Sequence, residues 1–328
     1  MRKRILSGFA LLGAVALAVT GCSSSDGSSD AGNGGGSGDV ITVGFAQTGS
    51  ESGWRSANTE SMKTAFSKDN GFDLVFNAAD NDPAAQIAAV RSFINQKVDA
   101  IVIAPIVEDG WDDVLKEAKD ANIPVILEDR TVTASDDLYA SWVGLDFKLE
   151  GQKAGEWAKE TFTDPTKMVV LEGTTGSAPA NDRAEGFDSA IAGSSIEKID
   201  SQTGDFTRDG GKSVMEGFLQ KYGVDGIDLV FAHNDDMALG AIEAIEAAGA
   251  KPGTDIKIVS IDAVHDGMQA LVDGKINYIV ECNPLLGEKA AALVKDVLAG
   301  NSVDKRTIVE DQAFDQAAAE KALPDRKY

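Results

Sequence analysis

The chain has 328 residues, of which 43% are hydrophobic and 6% aromatic, and a formal charge of −23. A field of that sign argues against nucleic acid and against charge-driven binding to anionic lipid, while it keeps a protein soluble. With only two histidines, His233 and His265, a zinc site is not expected.

The chain opens Met1-Arg2-Lys3-Arg4, runs apolar from Ile5 to Thr20, and reaches Gly21-Cys22. A basic head before an apolar stretch of about 15 residues reads as an export signal, since a spanning helix needs about 20. Val19-Thr20-Gly21-Cys22 resembles the bacterial lipobox, which implies cleavage after residue 21 and lipid on the Cys22 sulfur. An ordinary cleaved signal peptide and a short membrane anchor are the alternatives. Ser23 to Gly38 is almost entirely Ser, Gly, Asp, Ala and Asn, so residues 22–39 are expected to be a flexible tether. Removing residues 1–21 takes away three basic residues and leaves 307 residues with a charge near −26, enough chain for two domains. With Cys22 lipidated, Cys282 stands alone in an apolar stretch, with no internal disulfide.

From Val40 the pattern turns periodic. A strand is expected over 41–46, a helix over 60–70, a strand over 73–77 and a helix over 83–96. The nearly all-apolar run 99–105 reads as a strand, 112–121 as a helix and 124–127 as a strand. The rhythm restarts with a strand at 167–172 and helices at 182–192 and 211–222. Then come a strand at 229–232, a helix at 236–248, a strand at 256–262, a short helix at 267–273, a strand at 276–281 and a helix at 284–298. Apolar strands alternating with helices make βαβ units and parallel sheets covered on both faces. Two α/β domains are expected, beginning near residues 40 and 147, with a shared rhythm and no repeated sequence. Gly44, Gly49 and Gly53 lack the dinucleotide spacing, and neither a P-loop nor a serine elbow is present.

Ligands of open α/β sheets bind beyond the carboxyl ends of the strands. Ser50, Glu51, Trp54 and Arg55 follow the first strand. Glu108, Asp109 and Trp111 follow the third, and Asp129 and Arg130 the fourth. Asn181 and Arg183 follow the loop from Gly173 to Gly176, with Phe206 in the next connection. Asn234 and Asp262 follow later strands, and Glu281 ends the last. Carboxylates accept hydroxyl hydrogens, amides donate and accept, and guanidinium donates in a rigid fork. A neutral polyhydroxylated ligand needs this mixture, because each hydroxyl that leaves water needs a new partner. Aromatic faces suit the apolar side of a sugar ring.

Each candidate also admits a plainer role. Glu51 and Arg55 fit a surface ion pair, Asp129 and Arg130 a sheet-edge cap, and Arg183 an internal salt bridge. Asn234 and Asp262 fit helix caps, and Trp54 fits core packing. His233 and His265 read as helix-start or surface residues, and Trp142 and Trp157 as structural.

The chain from about 40 to 315 resembles the type I periplasmic sugar-binding proteins of ABC importers, the ribose-binding relatives, and most of all their galactofuranose-binding branch. The resemblance lies in Val43 through Arg55, in Ile87 through Ile94, and in Ala104 through Trp111. Pro124 through Arg130, and Asn234 through Ala238, belong to the wider family. It implies two Rossmann-like αβα lobes with parallel sheets, joined by a three-strand hinge and closing on a monosaccharide. Lobe 1 would comprise 40–145 plus 283–308 and lobe 2 147–281 plus 309–328, with crossings near Gly144–Asp146, Glu281–Asn283 and Thr307–Val309. Ser50 or Glu51, Trp54 and Arg55 would supply first-loop contacts, and Asp129 and Arg130 would face ring hydroxyls. Arg183, Asn234, Asp262 and Glu281 would serve from the second lobe, with Phe206 as a second stacking face. Many ribose-type relatives carry Gln where Glu281 stands and Phe where Trp54 and Arg55 stand, which moves the expectation away from ribose.

The implied partners are a monosaccharide, galactofuranose first, an importer permease, and a membrane reached through Cys22, with the protein monomeric and needing no cofactor. A sensory lipoprotein would use the same cleft. A glycoside hydrolase would need poised carboxylic acids, whereas Arg55, Arg130 and Arg183 are expected to keep neighbouring carboxylates ionised. A repressor would need a DNA-binding motif where the export signal stands.

Overall fold

The computed structural model describes residues 40–328, so the expected signal peptide, tether and Cys22 lie outside the described residues. Strands and helices alternate as β1 (Ile41–Gln47), α1 (Gly53–Ala65), β2 (Phe72–Ala78), α2 (Pro83–Gln96), β3 (Ala100–Ile103), α3 (Asp112–Asp120), β4 (Val125–Asp129) and β5 (Ser141–Gly144). They continue as α4 (Phe147–Thr161), β6 (Thr166–Glu172), α5 (Ala178–Ile191), β7 (Ile196–Thr203), α6 (Arg208–Tyr222), β8 (Leu229–Ala232), α7 (Asp235–Ala247), β9 (Lys257–Asp262), α8 (His265–Val272) and β10 (Tyr278–Glu281). The chain closes with α9 (Gly287–Leu298), β11 (Arg306–Ile308), β12 (Ala313–Phe314) and α10 (Gln316–Ala322).

Two six-stranded sheets result, in the orders β2-β1-β3-β4-β5-β11 and β7-β6-β8-β9-β10-β12. The first is parallel throughout. The second is parallel except for β12, which runs antiparallel to β10. Because side chains alternate across a strand, each sheet feeds two cores. Met168, Val170, Leu229 and Phe231 pack on the α4–α5 side, and Val169, Leu171, Val230 and Ala232 on the α6–α7 side. Likewise Val43, Phe45 and Val102 meet α1 and α9, while Ile101, Ile103 and Leu127 meet α2 and α3. The chain passes between the sheets after β5, after β10 and between β11 and β12. The α/β architecture of two αβα lobes agrees with the sequence reading.

Several elements differ from expectation for local reasons. Helix α1 starts at Gly53 rather than 60, because its buried residues include Arg55 and Asn58, polar groups turned inward that break the apolar rhythm. Ser52 caps it by accepting from the Arg55 N–H at 3.1 Å. Helix α5 starts at Ala178, with Pro179 in its first turn. Strand β7 is a polar, half-exposed edge, IEKIDSQT, without an apolar run. Helix α4 holds Gly151 and Gly155 in its interior, which obscures it in sequence. A Cβ at Gly151 would collide with the Arg183 carbonyl, and one at Gly186 with the Lys148 carbonyl. Those glycines let α4 and α5 meet backbone to backbone, which delivers Arg183 to Glu150.

Candidate functional site

A small cavity lies between the lobes. Its walls are Glu51, Ser52, Trp54, Arg55, Asp129 and Arg130 on one side and Phe147, Pro179, Arg183, Phe206, Asn234 and Asp262 on the other, with Cys282 at the hinge.

On the first lobe, Arg55 is the organising group. Its Nε donates to Glu51 Oε1 at 3.1 Å, Nη2 to Asp129 Oδ2 at 2.6 Å and Nη1 to Asn58 Oδ1 at 3.2 Å. Only 1% of Arg55 is exposed. Burial alone would lower its basicity, but Asp129 and Glu51 raise it above the ordinary value. Arg130 reaches Glu51 Oε1 at 3.4 Å and the Ile106 carbonyl at 3.3 Å. Burial, reinforced by the charge of Arg55, lowers its pKa to about 10. Burial pushes the Glu51 carboxyl up, but Arg55 and Arg130 outweigh it and hold the group below its usual range. The Trp54 indole donates to the Cys282 carbonyl at 2.5 Å, fixing the ring across the hinge.

On the second lobe, Arg183 Nε donates to Glu150 Oε2 at 2.7 Å and Nη1 to the His233 carbonyl at 2.6 Å, while Nη2 lies 3.7 Å from Asp262 Oδ1. Burial drives Asp262 well above its ordinary value, and Arg183 offsets only part of that. The expectation that guanidinium neighbours keep the site carboxylates ionised therefore holds for Glu51 and is corrected for Asp262, where desolvation exceeds the charge pairing. Asn234 caps α7, accepting from the Met237 N–H at 3.0 Å, and its amide donates to the Phe206 carbonyl at 3.0 Å. The guanidiniums of Arg130 and Arg183 lie over the Phe206 ring, 5.4 and 6.0 Å from its centroid. Gly173 makes room for it, since a Cβ there would overlap the ring.

Three cavity residues sit at positive φ: Asp129 (61°), Phe206 (62°) and Asp262 (130°). Such strain in non-glycine residues persists where surrounding contacts over-determine it, and it gathers at functional sites. The Trp142 indole supports Asp129 by donating to its carbonyl at 3.1 Å.

Of the sequence candidates, Glu51, Trp54, Arg55, Asp129, Arg130, Arg183, Phe206, Asn234 and Asp262 come together at the cavity. Five do not line it. Ser50 is exposed, and its neighbour Ser52 takes the wall position. Asp109 is exposed and accepts from the Thr133 hydroxyl at 2.7 Å. Asn181 donates to Glu108 at 2.6 Å, so these two bind each other at the rim. Glu281 turns to Arg326 and Tyr328, at 2.6 and 2.7 Å, because its carboxylate finds donors behind the hinge. His233, read as a surface or helix-start residue, is fully buried, and burial lowers its pKa to about 3. His265 has an exposed side chain, and Trp111 packs in the first-lobe core. Sequence reasoning missed Ser52, Phe147, Pro179 and Cys282 as wall residues. The capping Ser52, and Asp146 accepting from the Leu149 N–H just ahead of Phe147, were the available signals. Among the described residues no cluster of His, Cys, Asp and Glu suits a metal ion.

Two αβα lobes, three crossings and a polar cavity between them define a hinged, two-lobed binding protein. The chain belongs to the periplasmic binding protein domain family, whose profile matches residues 43–302. It is 45% identical over 292 residues to the galactofuranose-binding protein YtfQ of Escherichia coli, covering 88% of this chain and 92% of that one. A Mycobacterium smegmatis crystal structure in complex with β-D-fucofuranose is 56% identical, with a TM-score of 0.85, over 88% of this chain and 95% of the other. The binding protein of the arabinose ABC transporter of Shewanella sp. ANA-3, bound to α- and β-L-arabinofuranose, is 45% identical, with a TM-score of 0.84, over 88% and 96%.

Proposed function

We propose that this chain is the solute-binding protein of an ABC importer and holds a furanose sugar, galactofuranose first, between its lobes. The observation that carries this reading is the mixture of hydrogen-bond donors and acceptors on the cavity wall. Three guanidiniums, from Arg55, Arg130 and Arg183, face three carboxyl groups, from Glu51, Asp129 and Asp262. Such a wall has both donors and acceptors for hydroxyls. The rings of Trp54 and Phe206 supply apolar faces. The furanose-binding relatives support the same sugar form. The protein carries no catalytic role in this reading.

Residues 1–22 support export and attachment to the outer face of the cytoplasmic membrane through lipid on Cys22, where the receptor would meet a permease. Melting curves with galactofuranose, fucose, arabinose, galactose, ribose, glucose and inositol test the site. A sugar that binds only the folded state raises the Tm, by about 2.7 kcal/mol of stabilisation at a hundred times its Kd. The furanose-forming sugars are expected to give the largest shifts, and no shift with any of them overturns the proposal.

A further inference from the structure

Glu281 stands at the end of β10, immediately before the second crossing, and binds partners from elsewhere in the chain. Oε1 accepts from Arg326 Nη1 at 2.6 Å and from the Tyr328 hydroxyl at 2.7 Å, and Oε2 accepts from the Gln312 N–H at 3.1 Å. The Glu281 N–H donates to the Gln312 carbonyl at 2.9 Å. Gln312 belongs to the third crossing, so this one residue ties two crossings together. Two residues on, the Asn283 N–H donates to Asp311 Oδ1 at 3.1 Å. Between these ties lies Cys282, whose carbonyl holds the Trp54 indole. The Arg326 guanidinium lies over the Phe314 and Tyr328 rings, 5.0 and 4.8 Å from their centroids, and the Arg326 and Glu281 side chains are 7% and 6% exposed. The Tyr328 carbonyl accepts from the His265 N–H at 2.7 Å, which fastens the segment to α8.

We propose that Arg326 and Tyr328 act through Glu281 as positioning residues for the ligand, fixing the register of two hinge crossings and so the direction in which the Cys282 carbonyl holds the Trp54 ring. A sheltered ion pair contributes little net stability against apolar packing, and setting register is its best-attested use. Hydrogen bonds to a carboxylate are also directional and strong, which suits a tie that must hold while the lobes move. This inference rests on the reading of the cleft as a sugar site.

Calorimetry on the whole protein, with the sugar that shifts the wild-type Tm most, tests it. Tyr328→Phe and Arg326→Met are expected to weaken binding about fivefold or more, and Arg326→Lys to recover part of the loss. Unchanged Kd in the folded variants, with only a lower Tm, overturns the positioning role. Should Arg326→Met fail to fold, Tyr328→Phe, which removes a single hydroxyl, still decides. Hydrogen exchange of the Trp54 indole N–H in ligand-free protein separates the two readings. Faster exchange in Tyr328→Phe supports the clasp even where the wild type binds no sugar, and unchanged exchange overturns it.

Discussion

Asn181 Nδ2 donates to Glu108 Oε2 at 2.6 Å, joining the two lobes at the cavity rim. The Glu108 N–H adds a bond to the Gly176 carbonyl at 3.0 Å. On the neighbouring edge, the Gly53 N–H donates to Asp236 Oδ2 at 2.7 Å. These bonds form only when the lobes are together, so they belong to the closed state. Asn181→Ala is expected to speed ligand release about two- to fivefold and leave association unchanged, the scale of one exposed charge-assisted bond. Stopped-flow kinetics checks this, and an unchanged release rate counts against a rim latch.

Arg55 neutralises two carboxylates that have almost no water. Arg55→Met leaves the buried Glu51 and Asp129 with only the longer contacts to Arg130, at 3.4 and 3.7 Å, and is expected to cost about 3 kcal/mol of stability and to remove sugar binding. Arg55→Lys is not expected to rescue it, because one ammonium cannot reproduce the fork that meets Glu51, Asp129 and Asn58. Urea unfolding and calorimetry read the two effects. Near-native binding in Arg55→Lys would show that charge alone suffices.

Asn234 does two jobs that a substitution can separate. Asn234→Ser keeps a neutral acceptor that caps α7 but loses the amide donor to the Phe206 carbonyl. Its Tm is expected to stay close to wild type while its Kd rises. Asn234→Ala loses both, with about 1 kcal/mol of cap stability. Equal Kd values for wild type and Asn234→Ser would remove Phe206 from the contacts that Asn234 positions.

Glu128 is fully buried beside Asp129, with Oε1 bonded to Asn58 at 2.6 Å and Oε2 without a partner. Burial, aided by the Asp129 charge, raises its carboxyl from an ordinary 4.5 to about 8. The folded state therefore holds this proton more tightly than the unfolded chain. The stability it contributes is complete below about pH 4.5 and is lost as pH rises to about 8. His233 acts in the opposite sense, since burial lowers it from 6.5 to about 3, so its contribution is present above 6.5 and lost as pH falls towards 3. Glu128→Gln is expected to reduce the fall in Tm over the alkaline half of the Glu128 window by roughly 4–8 °C, about 2 kcal/mol. Parallel Tm–pH curves for the two proteins would place the titration elsewhere.

The buried central strands were legible because they are apolar along their whole length, as in Ala100–Ile103 and Leu229–Ala232. The edge strand Ile196–Thr203 and the short Arg306–Ile308 lack that signal, since pairing on one side or over three residues needs no continuous apolar run. The site was legible where a residue ends or closely follows a central strand, as Asp129, Asn234 and Asp262 do. It was not legible at Phe147 and Pro179, which reach the cavity from the starts of α4 and α5.

The sequence by itself determined the alternation of strands and helices, the collection of polar residues at strand ends, and a leading segment that reads as an export signal. These are local properties, carried by side-chain periodicity and by residues adjacent in the chain. Only the tertiary structure decided which polar residues share a cavity and which satisfy one another. Glu108 and Asn181 are 73 residues apart and Glu281 and Arg326 are 45 apart. Their pairing depends on how whole lobes and crossings pack, because a carboxylate that leaves water takes whichever donor the fold brings to it, and no local pattern records that donor.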